Sequence, residues 1–162
     1  MSNTNPGDPL IIPAAAGGLF LGDSAFFDLT SSPATDHSAS GFRISETAGE
    51  NLVFPELCYF KSDGKFWKSA AGAAGTTTGL LAMALASITA EASGNFLVKF
   101  GFIRDETWNF ATVGAPVYVS LTGGEVTQTA PPSATNQVRI IGFAKTSKIL
   151  CFDPGKTVVV QS

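Results

Sequence analysis

The chain has 162 residues, a formal net charge of −3 and 44% hydrophobic residues, yet only 14% of it is charged, against about a quarter in ordinary globular domains. This length holds one domain with a self-sufficient core and excludes a second full-sized one. So little charge, beside 13 phenylalanines and 17 glycines, predicts that part of the surface is covered by other copies or by a partner.

Residues 1–40 read as an extended N-terminal arm. Pro6, Pro9 and Pro13 favour extended backbone, and no helical or alternating period runs through the segment. Its apolar clusters, Leu10-Ile11-Ile12, Leu19-Phe20-Leu21 and Phe26-Phe27, are expected to order against a partner surface, because a solvated tail would be hydrophilic. Asp8, Asp23, Asp28 and Asp36 precede the first basic residue, Arg43. That pattern argues against a nucleic-acid arm and a polybasic membrane anchor, which need Lys and Arg, and against a secretory signal. The longest uncharged run, Ser69 to Ala90, is too diluted by glycine and threonine to cross hydrocarbon. A protein made and kept in the cytoplasm is expected, with no membrane and no nucleic-acid partner.

Residues 41–162 read as an all-β domain, because short strand-like runs are punctuated by turn residues every ten or so positions. Asp63-Gly64, inside "LCYFKSDGKFWKS", predicts a hairpin, since both residues tolerate positive φ. "GLLAMALASITA" has Leu, Met and Ala that favour helix, but its large-small alternation and flanking glycine favour a strand, which is the reading taken. "NFLVKFGFIRD" is substantially apolar on both faces, with Phe96, Val98, Phe100 and Phe102 on one and Leu97, Lys99, Gly101 and Ile103 on the other, so it belongs at the centre of a sheet. In "GAPVYVSLTGGEVTQTAP", Val117 to Val119 should pair with Val126 to Gln128 across the Gly123-Gly124 turn. "QVRIIGFA" and "SKILCF" predict another hairpin, turning at Lys145 and Thr146, before a final strand-like "KTVVVQ". Seven to eight short strands that must protect their edges predict a compact antiparallel barrel or sandwich.

Catalytic chemistry is not expected. The single histidine, His37, falls in the arm and reads as an exposed loop residue without the scaffold that a triad needs. Gly72 to Gly79 is glycine-rich but lacks the lysine of a phosphate loop, and reads as a flexible loop. Ser62 and Lys65 satisfy S-x-x-K but straddle a turn. Asp105 and Glu106 read as a solvated turn, since neighbours on extended chain point apart. Cys58 and Cys151 read as reduced and buried, and no metal or other cofactor is expected. Trp67 and Trp108 are candidates for a subunit interface or a ligand platform.

"GAPVYVSLTGGEVTQTAPPSATNQVRIIGFAKTSKILCFDP" resembles structural proteins of tailed bacteriophages, through its Gly-x-Pro-Val-Tyr strand, Gly-Gly turn, Thr-Gln-Thr-Ala-Pro strand and Ile-Gly-x-Ala strand. The likeness extends upstream through "LLAMALASI" and "LCYFKSDGKFWKSAA", covering about Glu56 to Pro154 and leaving the arm outside it. Similar elements occur in capsid decoration, or cement, proteins, which are small β-barrels on the outer surface of the phage head. The resemblance implies a non-enzymatic virion protein, assembled in the bacterial host cytoplasm. Its partners would be the major capsid protein and copies of itself, as a homotrimer. The alternative is a head or tail fibre, spike or baseplate module whose β-domain binds a host glycan.

Overall fold

In the computed structural model, which describes residues 29–161, the chain forms an all-β fold of eleven strands and one 3-10 turn, Ala74–Thr76. The arm clusters at Leu10 to Ile12, Leu19 to Leu21 and Phe26 to Phe27 lie outside the described residues. The strands are β1 (Ser38–Thr47), β2 (Leu57–Phe60), β3 (Phe66–Lys68), β4 (Leu81–Ala84), β5 (Ser93–Arg104), β6 (Pro116–Val119), β7 (Val126–Thr127), β8 (Gln137–Val138), β9 (Ile140–Thr146), β10 (Ile149–Phe152) and β11 (Val159–Val160). Nine of them form one curled antiparallel sheet, a half-barrel, while β8 and β11 pair separately.

Strand β5 organises the sheet. β1 pairs with β5 over its whole length, β4 pairs with it at Phe96 and Leu97, and β10 pairs with it from Gly101 to Arg104. Because β1 already takes one edge at all those positions, β4 and β10 must share the other. Two wings therefore leave the same edge, β4-β2-β3 from the first half and β10-β9-β6-β7 from the second. Midway, β1 shifts register around Phe42, and Gly41 crosses Gly101 so closely that a Cβ on Gly41 would lie 2.7 Å from the Gly101 Cα. Only glycine allows that approach, at a φ of +150°.

The alternation along β5 feeds two cores. Leu97 and Ile103 join Leu57, Leu81, Met83, Val117, Leu150 and Phe152 inside the curl. Phe96 turns the other way, stacks on Phe66 at 4.3 Å between ring centroids, and packs with Cys58, Ala82, Ala84 and Ile88. Strands β2 and β4 alternate likewise, so this wing is buried on both faces. The second core ends there: on β5 beyond Val98 the outer face is left with an exposed Phe100 and a half-exposed Phe102.

The half-barrel is stitched along its seam by the Gly123-Gly124 turn. Gly124 accepts a hydrogen bond from Leu57 N–H at 2.7 Å and donates one to the Ser69 carbonyl at 2.9 Å, while Ala71 N–H donates to the Ser120 carbonyl at 2.7 Å. Gly124 has a φ of +82° and is buried, and a Cβ there would come 3.0 Å from the Glu56 side chain. The turn that pairs Val119 with Val126 and Tyr118 with Thr127 is thus also the contact between the two wings.

The strands at Asp63-Gly64, Leu81 to Ala84 and Ser93 to Arg104 form as expected. Three details differ. The last hairpin turns at Ser147 and Lys148 instead of Lys145 and Thr146, because Lys145 and Thr146 continue β9. "QVRIIGFA" is divided between β8 and β9 at Arg139, a 4% exposed residue that donates to the carbonyls of Thr77, Gly79 and Gly155; this division and several two-residue strands raise the strand count above eight. Finally, Gly72 to Gly79 holds an ordered turn instead of a loose loop, with the Thr76 hydroxyl donating to the Ala70 carbonyl at 2.6 Å and the Ser69 hydroxyl to the Thr76 carbonyl at 2.5 Å.

Candidate functional site

A groove of about 690 Å³ opens beside the seam, between the segment after β5, the chain before β2 and the strand β7. Its wall carries Trp108, Phe54, His37, Asp105, Gln128 and Glu56. Trp108 is half-buried and packs on Phe110 at 5.2 Å between ring centroids, so one part of the indole is core and another faces the groove. Lys148 Nζ donates to the Trp108 carbonyl at 2.5 Å and to the Glu106 carbonyl at 2.7 Å, which fixes this loop to the turn between β9 and β10. On the far side Glu56 Oε2 accepts from Val53 N–H at 2.9 Å and Oε1 pairs with Lys68 Nζ at 2.7 Å. That contact raises the Lys68 pKa, since the carboxylate favours the ammonium form.

At one end of the groove three ionisable side chains converge. His37 packs its ring on Phe54 at 4.9 Å, and its Nε2 lies 3.7 Å from an Asp36 oxygen and 3.6 Å from an Asp105 oxygen. Asp105 is 2% exposed, which corrects its reading as part of a solvated turn: its N–H bonds the Lys148 carbonyl, and its carboxylate folds back to accept from the Thr107 backbone N–H at 2.7 Å and the Thr107 hydroxyl. The strand ends there, so the alternation rule that separated Asp105 from Glu106 leaves Asp105 on the buried side and only Glu106 in solvent.

The last residues expected to belong to the extended arm are held by the domain itself. Asp36 accepts from Glu106 N–H at 2.9 Å, the principal cause lowering its pKa. Arg104 reaches the Pro33 carbonyl, and Lys145 Nζ donates to the Ser31 carbonyl at 2.5 Å and to the hydroxyls of Ser31 and Ser32. His37 is 56% exposed, as a loop histidine should be, yet it stands on a fixed frame. Chain distance hid this grouping, and Ser38-Ala39-Ser40-Gly41, which follow Asp36-His37, carry no strand-forming signal that would have placed the pair at the start of β1.

Trp67 lies elsewhere. Its indole N–H donates to Asp63 at 3.0 Å, Lys61 Nζ sits 4.2 Å above the ring, and a Cβ on Gly49 would come 2.1 Å from it. Lys61 and Gly49 therefore both crowd that indole, and the two tryptophans do not share one platform. Ser62 and Lys65 flank the hairpin turn, with Lys65 paired to Glu91 at 2.6 Å. Cys58 and Cys151 are free; Cys58 is buried but Cys151 is only half-buried.

Among the described residues, a second surface stands out on the outer face of β5, β10 and β9. Register places Phe102, Cys151 and Phe143 side by side across these strands, and Pro116 continues the row on β6. Phe143 is 49% and Phe100 41% exposed. Lys145 lies 5.1 Å over the Phe102 ring while holding Ser31 and Ser32, so the chain preceding β1 joins the domain at the border of this aromatic patch.

Comparison with known proteins finds no matching family model, no matching curated protein and no matching solved structure.

Proposed function

We propose that this chain is a structural virion protein: a capsid decoration protein that binds the outer surface of a phage head and stabilises contacts between capsid subunits. The observation that carries this reading is the aromatic outer face of β5, β10 and β9, which no other described residues cover and which lies beside the entry of an arm rich in apolar clusters. Large exposed rings on a rigid sheet gain free energy only when another surface removes them from water, at about 25 cal/mol per Å² of apolar area. A charge-poor chain with such a face is suited to permanent assembly. The segment Gly114 to Pro154, which carries the resemblance to phage structural proteins, supplies β6 to β10, and thus much of this face and the seam.

In this account the sheet face seats on the major capsid protein or a neighbouring copy, in a homotrimer, while Leu10 to Ile12, Leu19 to Leu21 and Phe26 to Phe27 extend the contact to adjoining capsid subunits. Co-sedimentation with purified expanded heads tests it. The full chain should pellet with the heads, and the double variant Phe100→Ser, Phe143→Ser, which alters exposed positions and keeps the fold, should remain largely in the supernatant. Equal pelleting of both proteins contradicts the assignment of this face.

A second reading, a fibre, spike or baseplate module binding a host glycan, draws on Trp108 at the rim of the groove beside Gln128, since an indole with adjacent amide and carboxylate groups suits a sugar ring. Trp67 contributes nothing to it, because Lys61 and Gly49 crowd that ring.

A further inference from the structure

Asp36 and His37 lie just before β1, and Asp105 just after β5, and the candidate ligand atoms of the three lie within 4.8 Å of one another. Each carboxylate has one oxygen held and one oxygen free. Oδ1 of Asp36 accepts from the backbone N–H groups of His37 and Glu106, both at 2.9 Å. Oδ1 of Asp105 accepts from the N–H and hydroxyl of Thr107. The other oxygen of each, Oδ2, faces the same nitrogen, His37 Nε2, at 3.7 and 3.6 Å.

These separations are too long for N–H···O hydrogen bonds. They exceed by only a few tenths of an ångström the roughly 3.3–3.5 Å between two ligand atoms of a tetrahedral zinc ion with bonds of about 2.0–2.2 Å. Asp105 carries the strongest constraint. It is 2% exposed, and its Oδ2 accepts no hydrogen bond among the described residues. Oδ2 is not sealed off from water but opens on the groove, where it is available to a ligand arriving from solvent. The bonds at each Oδ1 supply the outer support that orients metal-ligating carboxylates.

We propose that Asp36, His37 and Asp105 bind one divalent transition-metal ion, for which zinc is the natural probe. Two carboxylates neutralise its charge, the imidazole favours zinc over calcium or magnesium, and the groove leaves room for water at the remaining positions. The ion ties the segment before β1 to the end of β5, across the join that Arg104 and Lys145 already brace. Its consequence is a fixed direction from which the preceding chain leaves the sheet.

Calorimetric titration of the full chain with zinc chloride, in protein prepared without a histidine tag, tests this directly. One saturable site is expected, with a rise in melting temperature that EDTA reverses and that calcium chloride does not reproduce. His37→Ala and Asp105→Asn should each weaken binding at least about tenfold and abolish the zinc-dependent rise. His37 is over half exposed, so His37→Ala remains decisive should Asp105→Asn fail to fold. No saturable uptake below about 1 mM zinc, uptake unchanged by His37→Ala, or an equal response to calcium overturns the proposal.

Discussion

Cys58 and Cys151 show how far one residue type is set by its position. Cys58 lies on the second-core face of β2, its thiol donates to the Glu56 carbonyl at 3.4 Å, and burial pushes its pKa far up. Cys151 lies on the outer face of β10 between Phe102 and Phe143, half-buried, with its pKa raised by a weaker burial. Thiolate is the reactive form, so accessibility and pKa act in the same direction. Titration with a thiol-reactive dye near pH 8 should label Cys151 in the native protein and Cys58 only in denaturant. Equal native labelling of both would mean that the second core opens far more readily than its packing implies.

At the same scale, strand residues were more legible in the sequence than the site. Alternation placed Leu97 and Phe96 on opposite faces of β5 because side-chain direction in a strand depends only on local geometry. His37 and Asp105 meet through the end of β1 pairing with the end of β5, a contact that no local pattern encodes.

Among the elements, the Gly123-Gly124 turn does the most. A strand pair with few ionisable groups reads as plain scaffold in the sequence, and pairing Val119 with Val126 is what the turn chemistry predicted. Its second role, closing the seam through Leu57 and Ser69, follows from the curl of the whole sheet and so was not legible. Gly64 provides an internal control: its φ is +78°, almost that of Gly124, but a Cβ there meets nothing within 4 Å. Gly64→Ala should therefore cost only the left-handed backbone strain, about 1–2 kcal/mol. Gly124→Ala adds crowding against Glu56 and strain on the seam bonds, and should cost about 1–3 kcal/mol more. Denaturant melts of both variants measure the difference; equal losses would show that the seam contributes no stability.

For the whole molecule, the all-β class was legible because regularly spaced turns and β-branched runs leave few alternatives. The arrangement of two wings on one edge of β5 was not, since it depends on the Gly41-Gly101 crossing that lets β1 follow the bend. That arrangement buries both faces of the β2-β4 wing but one face of the β9-β10 wing, and the aromatic face that no other described residues cover is the physical basis of the proposed role in assembly. Decoration and fibre readings differ most in stoichiometry, because a shell protein repeats with the capsid lattice while a fibre occupies a few attachment points. The decisive measurement for the proposed virion role is the copy number of this chain in purified particles of the phage proposed to encode it, by quantitative mass spectrometry against the major capsid protein. The account predicts hundreds of copies per particle; a few tens or fewer, or none, would contradict it.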